Sequence, residues 1–147
     1  MPKSIVMATA ATADLDPEPI PPDWILAGTP EARSKKLARS HDWTSYVVVW
    51  DCTAGRFNWH YSKDETLVVI SGEALITNGN GEARRLLPGD LAFFPAGTSA
   101  TWLVPDRIRK VAVLRETMWR PLGFGLRAWN KLLRIVGLAG KSPLMLA

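Results

Sequence analysis

Short β-prone runs separated by turn signals follow one another between residues 43 and 116, and this pattern limits the possible folds more than any other feature. The runs are SYVVVWDC, RFNWHY, TLVVIS, EALITN, EARRLL, LAFFP, TSATWLV and RIRKVAVLRE. Glycine, proline, asparagine and aspartate fill the breaks, and NGNG at residues 78–81 predicts a tight hairpin because Asn and Gly tolerate a positive φ. Eight such strands without helical periodicity between them predict an all-β sandwich or barrel of antiparallel strands.

The segments before this region differ from it in composition. A chain of 147 residues is the size of one domain. Residues 1–22 are rich in Ala, Thr and Pro, so we expect an extended arm that lies along the body or stays loose. Residues 28–42 are polar and basic, which predicts a solvated connector, or one helical turn capped by Thr29 with Pro30 at its first position. The predicted boundaries are an arm over 1–22, a β domain over 23–117 and a helical extension over 118–147.

The C-terminal extension has the periodicity of an amphipathic helix. Pro121 suits its start, and Gly137 and Gly140 suit its end. The apolar stripe contains Leu126, Trp129, Leu133 and Val136, and the basic stripe contains Arg127, Lys131 and Arg134. Three uses are compatible with this pattern: docking on the barrel or on a partner, attachment to a membrane surface, and binding of an acidic protein.

Charge and cysteine content narrow the class of protein. Residues 1–116 carry 13 basic and 14 acidic side chains, whereas residues 117–147 carry five basic side chains and no acidic one. The net charge of +4 therefore resides in the tail, and the sequence does not predict a nucleic-acid-binding face. The single cysteine, Cys52, excludes an intramolecular disulfide, and the first residues lack the pattern of a secretory signal. We expect a cytoplasmic protein with no membrane span.

Two groups of residues resemble the motifs of a known family. Gly55, Asn58, His60, Glu65 and Gly72 match the spacing of the first cupin motif, and Gly89, Pro95 and Gly97 match the start of the second. The chain resembles a small single-domain cupin over about residues 19–115. In finer detail it is similar to the ureidoglycine aminohydrolase-type cupins, through PIPPDWILAGTP, WDCTAGRFNWHY, DETLVVISGEA and PGDLAFFPAG. The resemblance implies a cupin double-stranded β-helix, a jelly-roll barrel of about eight core strands with an interior pocket.

The resemblance also implies a divalent-metal site, of which the sequence preserves only part. Cupins typically hold the metal with three histidines and a glutamate. His60 and Glu65 stand at two of these positions, whereas Asn58 and Ala100 stand where the other two histidines would be. Transition-metal sites usually need three or more suitable protein ligands. We therefore expect no tightly bound cofactor, and at most a weak divalent metal on His60 and Glu65.

Strand alternation allows two interpretations of FNWHY, residues 57–61. Phe57, Trp59 and Tyr61 share one face, and Asn58 and His60 share the other. A simple sandwich would bury the aromatic residues and expose His60. A cupin pocket would turn Asn58 and His60 inward and leave three aromatic residues outside, to be covered by the arm, the helix or a partner subunit. We adopt the pocket interpretation, and from it we expect a homodimer.

We expect the pocket to hold a small polar or anionic metabolite. Its predicted lining residues are Asn58, His60, Glu65, Trp102 and Lys110. Trp102 lies two residues after Ala100, and it could form the floor of the pocket or be an ordinary core residue. The resemblance matches Lys110 to a lysine of the family pattern. This lysine could pair with Glu65, hold an anionic ligand, or be an ordinary solvated lysine of a strand. We expect Asp90 to brace a turn, His41 to be exposed and Cys52 to be a small core residue.

Three functions are compatible with such a pocket. We favour a metal-poor binding module for a small metabolite. The second possibility is an enzyme acting on a small nitrogenous or carbonyl metabolite, with Glu65 or His60 as general acid or base. The third is a dimeric scaffold that uses the basic C-terminal helix. The resemblance assigns no reaction, because cupins host many unrelated chemistries.

Overall fold

A computed structural model describes residues 4–137, and the chain divides into two units after Glu116. The described part of the first unit contains nine β-strands: β1 (Asp16–Pro17), β2 (Ile25–Gly28), β3 (Ala32–Arg39), β4 (Ser45–His60), β5 (Asp64–Gly72), β6 (Ala74–Thr77), β7 (Ala83–Leu86), β8 (Leu91–Phe94) and β9 (Ser99–Arg115). A 3₁₀ turn, Pro22–Trp24, lies between β1 and β2. The described part of the second unit contains one helix, α1 (Arg120–Ile135).

Two long strands, β4 and β9, run antiparallel and contribute to both walls of the barrel. The first wall has the order β1-β3-β4-β9-β5-β8 and uses residues 45–53 of β4. The second wall has the order β2-β4-β9-β6-β7 and uses residues 55–60 of β4. A register shift between Thr53 and Gly55 marks the point where β4 passes from one wall to the other. This architecture is the predicted jelly roll.

Glycine is required at two points where backbones approach closely. A Cβ added to Gly55 would lie 2.7 Å from the ring of Pro30. Gly72 ends β5 with a φ of +71°, and an added Cβ would overlap the carbonyl of Arg107 on β9. A larger residue at Gly72 would therefore have to displace the backbone of the neighbouring strand.

The core lies between the two walls and is rich in aromatic side chains. Phe57 and Trp102 are paired across β4 and β9, and their rings stack with centroids 6.1 Å apart. Both are fully buried, and burial of each such side chain contributes about 1.5–3 kcal/mol. Cys52 is a buried core residue, as expected, and burial raises the pKa of its thiol to about 12.

Each of the eight predicted runs lies in a strand of the structure. The runs SYVVVWDC and RFNWHY join into β4, and TSATWLV and RIRKVAVLRE join into β9. The prediction for residues 28–42 is wrong, because Ala32–Arg39 forms β3 rather than a connector or a helical turn. Lys35 and Lys36 of β3 are exposed, and the strand has only the two-residue β1 on its outer side. Charged residues are common on strands near the edge of a sheet, where they conceal the strand pattern.

Three smaller predictions are confirmed. The segment NGNG lies in the connection between β6 and β7, where Gly81 has a φ of +80°. The Oδ2 atom of Asp90 accepts a hydrogen bond from the Leu87 amide at 2.9 Å, which braces the turn before β8. His41 is exposed.

The N-terminal arm lies along the body. Asp16 and Pro17 pair with β3, and Ile20 is buried in the core. Arg109 of β9 donates hydrogen bonds from Nη1 to the carbonyl oxygens of Ala10 and Ala11, at 3.0 and 2.8 Å. The arm is therefore fixed at both its middle and its end.

The same arginine belongs to a cluster around Asp51, which we call the Asp51 clamp (Arg33, Asp51, Arg107 and Arg109). Asp51 is only 2% exposed, and it accepts hydrogen bonds from Arg107 and Arg109 and lies 3.7 Å from Arg33. Burial alone would raise the pKa of Asp51, but the hydrogen bonds and charges of Arg107 and Arg109 outweigh it and lower the pKa. The clamp ties β3, β4, β9 and the arm together.

The predicted C-terminal helix is confirmed. Pro121 lies in the first turn of α1, and Gly137 follows its end with a φ of +73°. Gly140 lies outside the described residues. None of the residues of α1 is buried. Within residues 4–137, no helix combines the length and the apolar character needed to cross a membrane.

Candidate functional site

A cavity of about 170 Å³ lies in the first unit, against the first wall of the barrel. The residues that line it are Glu18 of the arm, Ser34 and Lys36 of β3, Tyr46, Val48, Trp50 and Trp59 of β4, Glu65 of β5, and Lys110 and Leu114 of β9. Tyr46, Val48 and Trp50 face it together because alternate residues of a strand share one face.

A buried ion pair between Glu65 and Lys110 forms one side of the cavity. The two residues are 3% and 4% exposed, and Nζ of Lys110 lies 2.5 Å from Oε1 of Glu65. The second carboxylate oxygen of Glu65 accepts no hydrogen bond from residues 4–137. The predicted pairing of these residues is therefore present, and it leaves one carboxylate oxygen without a protein donor.

Two aromatic rings lie close to the ammonium group of Lys110. Nζ of Lys110 lies 4.8 Å from the ring centre of Trp50 and 5.0 Å from that of Trp102. Trp50 is also the direct cross-strand partner of Lys110, so the strand register itself brings the ring to the ammonium group. Cation–π contacts of this kind stabilise a charged lysine where water is scarce.

Trp102 is a core residue behind the ion pair. It is buried, as is Ala100, and its Nε1 donates a hydrogen bond to the hydroxyl of Tyr61 at 2.9 Å. Burial raises the pKa of that hydroxyl, and the charge of Glu65 raises it further, so Tyr61 stays protonated at neutral pH. Of the two alternatives for Trp102, the core position is the one observed, and the ring makes a cation–π contact with Lys110.

The prediction that Asn58 and His60 turn into the pocket is wrong. His60 is exposed, and its Nδ1 lies 2.7 Å from the hydroxyl of Ser99. Asn58 accepts a hydrogen bond from the Thr101 hydroxyl at 2.8 Å. Neither residue lines the cavity.

The inward face of this part of β4 belongs to the aromatic residues. Phe57 and Tyr61 are buried, and Trp59 packs against the core and lines the cavity. Burial of three aromatic side chains lowers the free energy of the folded state more than burial of the polar Asn58 and His60 side chains would. The simple-sandwich interpretation therefore describes this strand.

Two expectations lose their premise with this correction. The aromatic residues of FNWHY are covered by the chain itself, so they give no reason to expect a dimer. His60 and Glu65 do not share the cavity, so the structure does not bring together the two residues considered for acid–base catalysis.

The residues present do not fit the metal site that the fold implies. No group of three or more His, Cys, Asp or Glu side chains within residues 4–137 is arranged to hold a metal ion. Of the three positions where cupins carry histidines, Ala100 offers only a methyl group, and Asn58 and His60 do not line the cavity that Glu65 borders. The remaining carboxylate, Glu65, is already paired with Lys110.

Several cavity residues were not predicted from the sequence. Tyr46 and Trp50 belong to the predicted strand SYVVVWDC, and Glu18, Ser34 and Lys36 lie in segments predicted to be an arm and a connector. A usable signal was the alternation of Tyr46, Val48 and Trp50 in SYVVVWDC, which places one aromatic residue at each end of the inward face.

The chain matches a family of known proteins. The EutQ-like cupin domain matches residues 39–112, which is half of the chain. No curated protein gives a significant match.

Solved structures with the same fold include proteins of three bacteria. A DUF861 family protein of unknown function from Pseudomonas syringae pv. tomato is 25% identical over 69% of this chain and 44% of its own, with a TM-score of 0.64. The Clostridium difficile EutQ protein is 24% identical over 62% of this chain and 72% of its own, with a TM-score of 0.54. A putative ethanolamine utilization protein Q from Salmonella typhimurium is 22% identical over 60% of this chain and 72% of its own, with a TM-score of 0.53.

This chain thus spans less than half of the Pseudomonas protein, and its likeness to the two others concerns the fold alone. The match over residues 39–112 and the jelly-roll architecture agree with each other. The chain belongs to the family of EutQ-like cupin domains.

Proposed function

We propose that the protein is a binding module that holds a small polar metabolite in the cavity beside Glu65 and Lys110. The observation that carries the proposal is the ion pair itself, whose two charges are almost fully buried and border an open space. A buried ion pair is a poor source of stability, because desolvation offsets much of the attraction between the charges. A pair kept at the wall of a cavity is better explained by what it can bind.

The size and charge of the cavity limit the ligand. Its volume of about 170 Å³ is below the roughly 300–1,000 Å³ of pockets for drug-sized molecules, so the ligand has only a few non-hydrogen atoms. The lining residues include two acids, Glu18 and Glu65, and two bases, Lys36 and Lys110. This balance favours a molecule without net charge over an anion.

The free hydrogen-bonding groups specify the ligand further. Glu65 offers an acceptor oxygen, and Lys110 keeps N–H donors that are not used by Glu65. A group that combines a donor and an acceptor, such as an amide or a zwitterion, satisfies both residues at once. The narrower resemblance to ureidoglycine aminohydrolase-type cupins stays a prediction, and the proposal does not depend on it.

The proposal is tested by thermal melting of the full chain with four small probes. Acetamide and glycine carry both donors and acceptors, acetate carries only acceptors, and methylammonium carries only donors. We expect acetamide and glycine to raise the melting temperature in a saturable way, because a ligand that binds only the folded state stabilises it. Acetate and methylammonium should have smaller effects.

Matched variants separate binding from general solvent effects. Lys110→Met removes a charge of the cavity, whereas Glu73→Gln removes a charge from a partly exposed pair with Arg85 at 3.3 Å. The stabilisation by glycine and acetamide should disappear in Lys110→Met and persist in Glu73→Gln. Equal stabilisation of both variants would reveal an osmolyte effect, and the binding proposal would fail.

A further inference from the structure

The helix α1 gathers its charged residues on one side, where Phe124 and Ile135 border them. At 3.6 residues per turn, its four basic side chains, Arg120, Arg127, Lys131 and Arg134, fall within an arc of about 60°. No acidic residue occurs in the helix or anywhere from residue 117 to residue 147. The polar face therefore carries charge of one sign only.

The opposite side of the helix is a broad apolar face. Leu122, Leu126, Trp129, Leu132 and Leu133 occupy an arc of about 120°. Trp129 is 58% exposed, and Leu122, Leu126 and Leu132 are exposed as well. A solvent-exposed apolar face of this width calls for a partner.

We propose that α1 lies flat on an anionic lipid membrane, with its apolar face in the interfacial region and its basic arc against the headgroups. Charge complementarity carries this inference, because an anionic surface attracts a helix whose every charge is positive. A helix that only had to dock on protein would ordinarily carry charges of both signs on its solvent face. The indole of Trp129, apolar with one polar N–H, is suited to the headgroup region.

The length of the helix decides how it meets the bilayer. Sixteen residues extend for about 24 Å, less than the roughly 30 Å of a hydrocarbon core. The basic side chains are distributed along the whole helix, so neither end of the helix could enter the hydrocarbon core without carrying a charge into it. The helix therefore lies parallel to the surface.

Two glycines make the helix responsive to its surroundings. Gly123 and Gly125 lie in its first half and weaken it in water. Contact with the interface compensates for this weakness, because it buries the apolar face. Vesicle binding should therefore increase the helical signal in far-ultraviolet circular dichroism.

The inference is tested by co-sedimentation of the full chain with vesicles. Vesicles containing phosphatidylglycerol and phosphatidylcholine should bind the protein, whereas phosphatidylcholine vesicles should bind it much less. Arg127→Gln combined with Lys131→Gln removes two charges, each contributing slightly more than a fivefold change in partitioning, so binding should weaken about thirtyfold. Binding should also weaken as salt rises.

A pair of matched variants tests the apolar face. Trp129→Glu places a negative charge on that face and should abolish sedimentation with the anionic vesicles. Phe93→Glu, at a residue of β8 that is 57% exposed, makes the same kind of change on the barrel and should leave vesicle binding intact. Equal thermal melting of the two variants would show that both barrels are folded.

Three results would overturn the inference. One is a failure of the full chain to sediment with phosphatidylglycerol vesicles at low salt. Another is equal loss of binding in Phe93→Glu and Trp129→Glu. The third is analytical ultracentrifugation that shows a dimer dissociated by Trp129→Glu together with no vesicle binding, since the apolar face would then belong to a second copy.

Discussion

Two buried carboxylates of the first wall, Asp51 of β4 and Glu65 of β5, have different surroundings. Asp51 is enclosed by three arginines, and both of its oxygens accept hydrogen bonds. Glu65 has one cationic partner, Lys110, and one of its oxygens accepts no hydrogen bond from the described residues. Asp51 joins strands and arm, whereas Glu65 borders a cavity.

A structural carboxylate and one available for binding differ in how many of their acceptor sites the protein satisfies. Burial is almost the same for the two residues, at 2% and 3% exposure, so burial alone does not separate them. The difference lies in the number of satisfied acceptor sites and in the space beside them. Variants of the two sites should therefore respond differently.

Replacement of Asp51 should destabilise the protein more than any other change considered. Asp51→Ala leaves the arginines of the clamp without their common partner, and removal of one member of a buried ion pair costs about 3–5 kcal/mol. Because Arg33 and Arg107 are partly exposed, we expect about 3 kcal/mol, measured by urea unfolding. Glu73→Gln, the matched surface variant, should cost less than about 1 kcal/mol. An equal loss of unfolding free energy in the two variants would contradict a structural role for the clamp.

The cavity pair should behave differently when both charges are removed together. Lys110→Met alone leaves a carboxylate that borders the cavity and can be hydrated there, so it should cost about 2–3 kcal/mol, less than the loss of a partner from a fully enclosed pair. The double variant Glu65→Leu, Lys110→Met should be within about 1 kcal/mol of the wild type or more stable, because apolar residues of similar volume replace the pair. It should also lose the response to glycine and acetamide. A double variant as unstable as Lys110→Met would mean that the pair is needed for folding rather than for binding.

Acid should act on the clamp in a narrow pH window. The arginines lower the pKa of Asp51 below its ordinary value of 3.8 in the folded protein. The stabilisation from this ionised group is therefore present above the pKa of the unfolded chain and is lost as the pH falls through the lower, folded pKa. The difference in unfolding free energy between wild type and Asp51→Asn should be constant from pH 7 to pH 5 and shrink below pH 3.8. A difference that shrinks already between pH 7 and pH 5 would contradict this assignment.

His60 should matter least. Its side chain is exposed and makes one side-chain hydrogen bond, to Ser99, and one edge contact with Trp24. His60→Ala should change the unfolding free energy by about 0.5 kcal/mol and leave probe binding unchanged. If the variant lost the response to glycine, the outward placement of His60 would not describe the protein in solution.

The sequence predicted the fold well and the site only in part, for a reason visible in β4. Short β-prone runs and turn residues report local conformation, which is why the jelly roll, the hairpin at 78–81 and the C-terminal helix could be predicted. The pairing of Glu65 with Lys110 followed from the cost of a lone buried charge. The inward face of FNWHY could not be read from motif spacing, because a shift of one residue exchanges the two faces of a strand.

The segments that complete the cavity illustrate a second limit. Glu18 and Lys36 are exposed polar residues in stretches without strand or helix periodicity, and only the pairing of β1 and β3 brings them to the cavity. Long-range pairing of this kind leaves no local pattern in the sequence. The Asp51 clamp was missed for the same reason, since its arginines come from β3 and β9.

The most direct test of the proposed site uses the indole N–H signals of the seven tryptophans in a ¹H–¹⁵N spectrum. Trp50 and Trp59 line the cavity, and the buried Nε1 of Trp50 has no hydrogen-bond partner among the described residues, so its signal should respond to nearby changes. On titration with glycine or acetamide, we expect saturable shifts at Trp50 and Trp59 and none at the exposed Trp43 and Trp119. Shifts confined to Trp43 or Trp119, or no shift at any indole up to solubility, would contradict a ligand site beside Glu65 and Lys110.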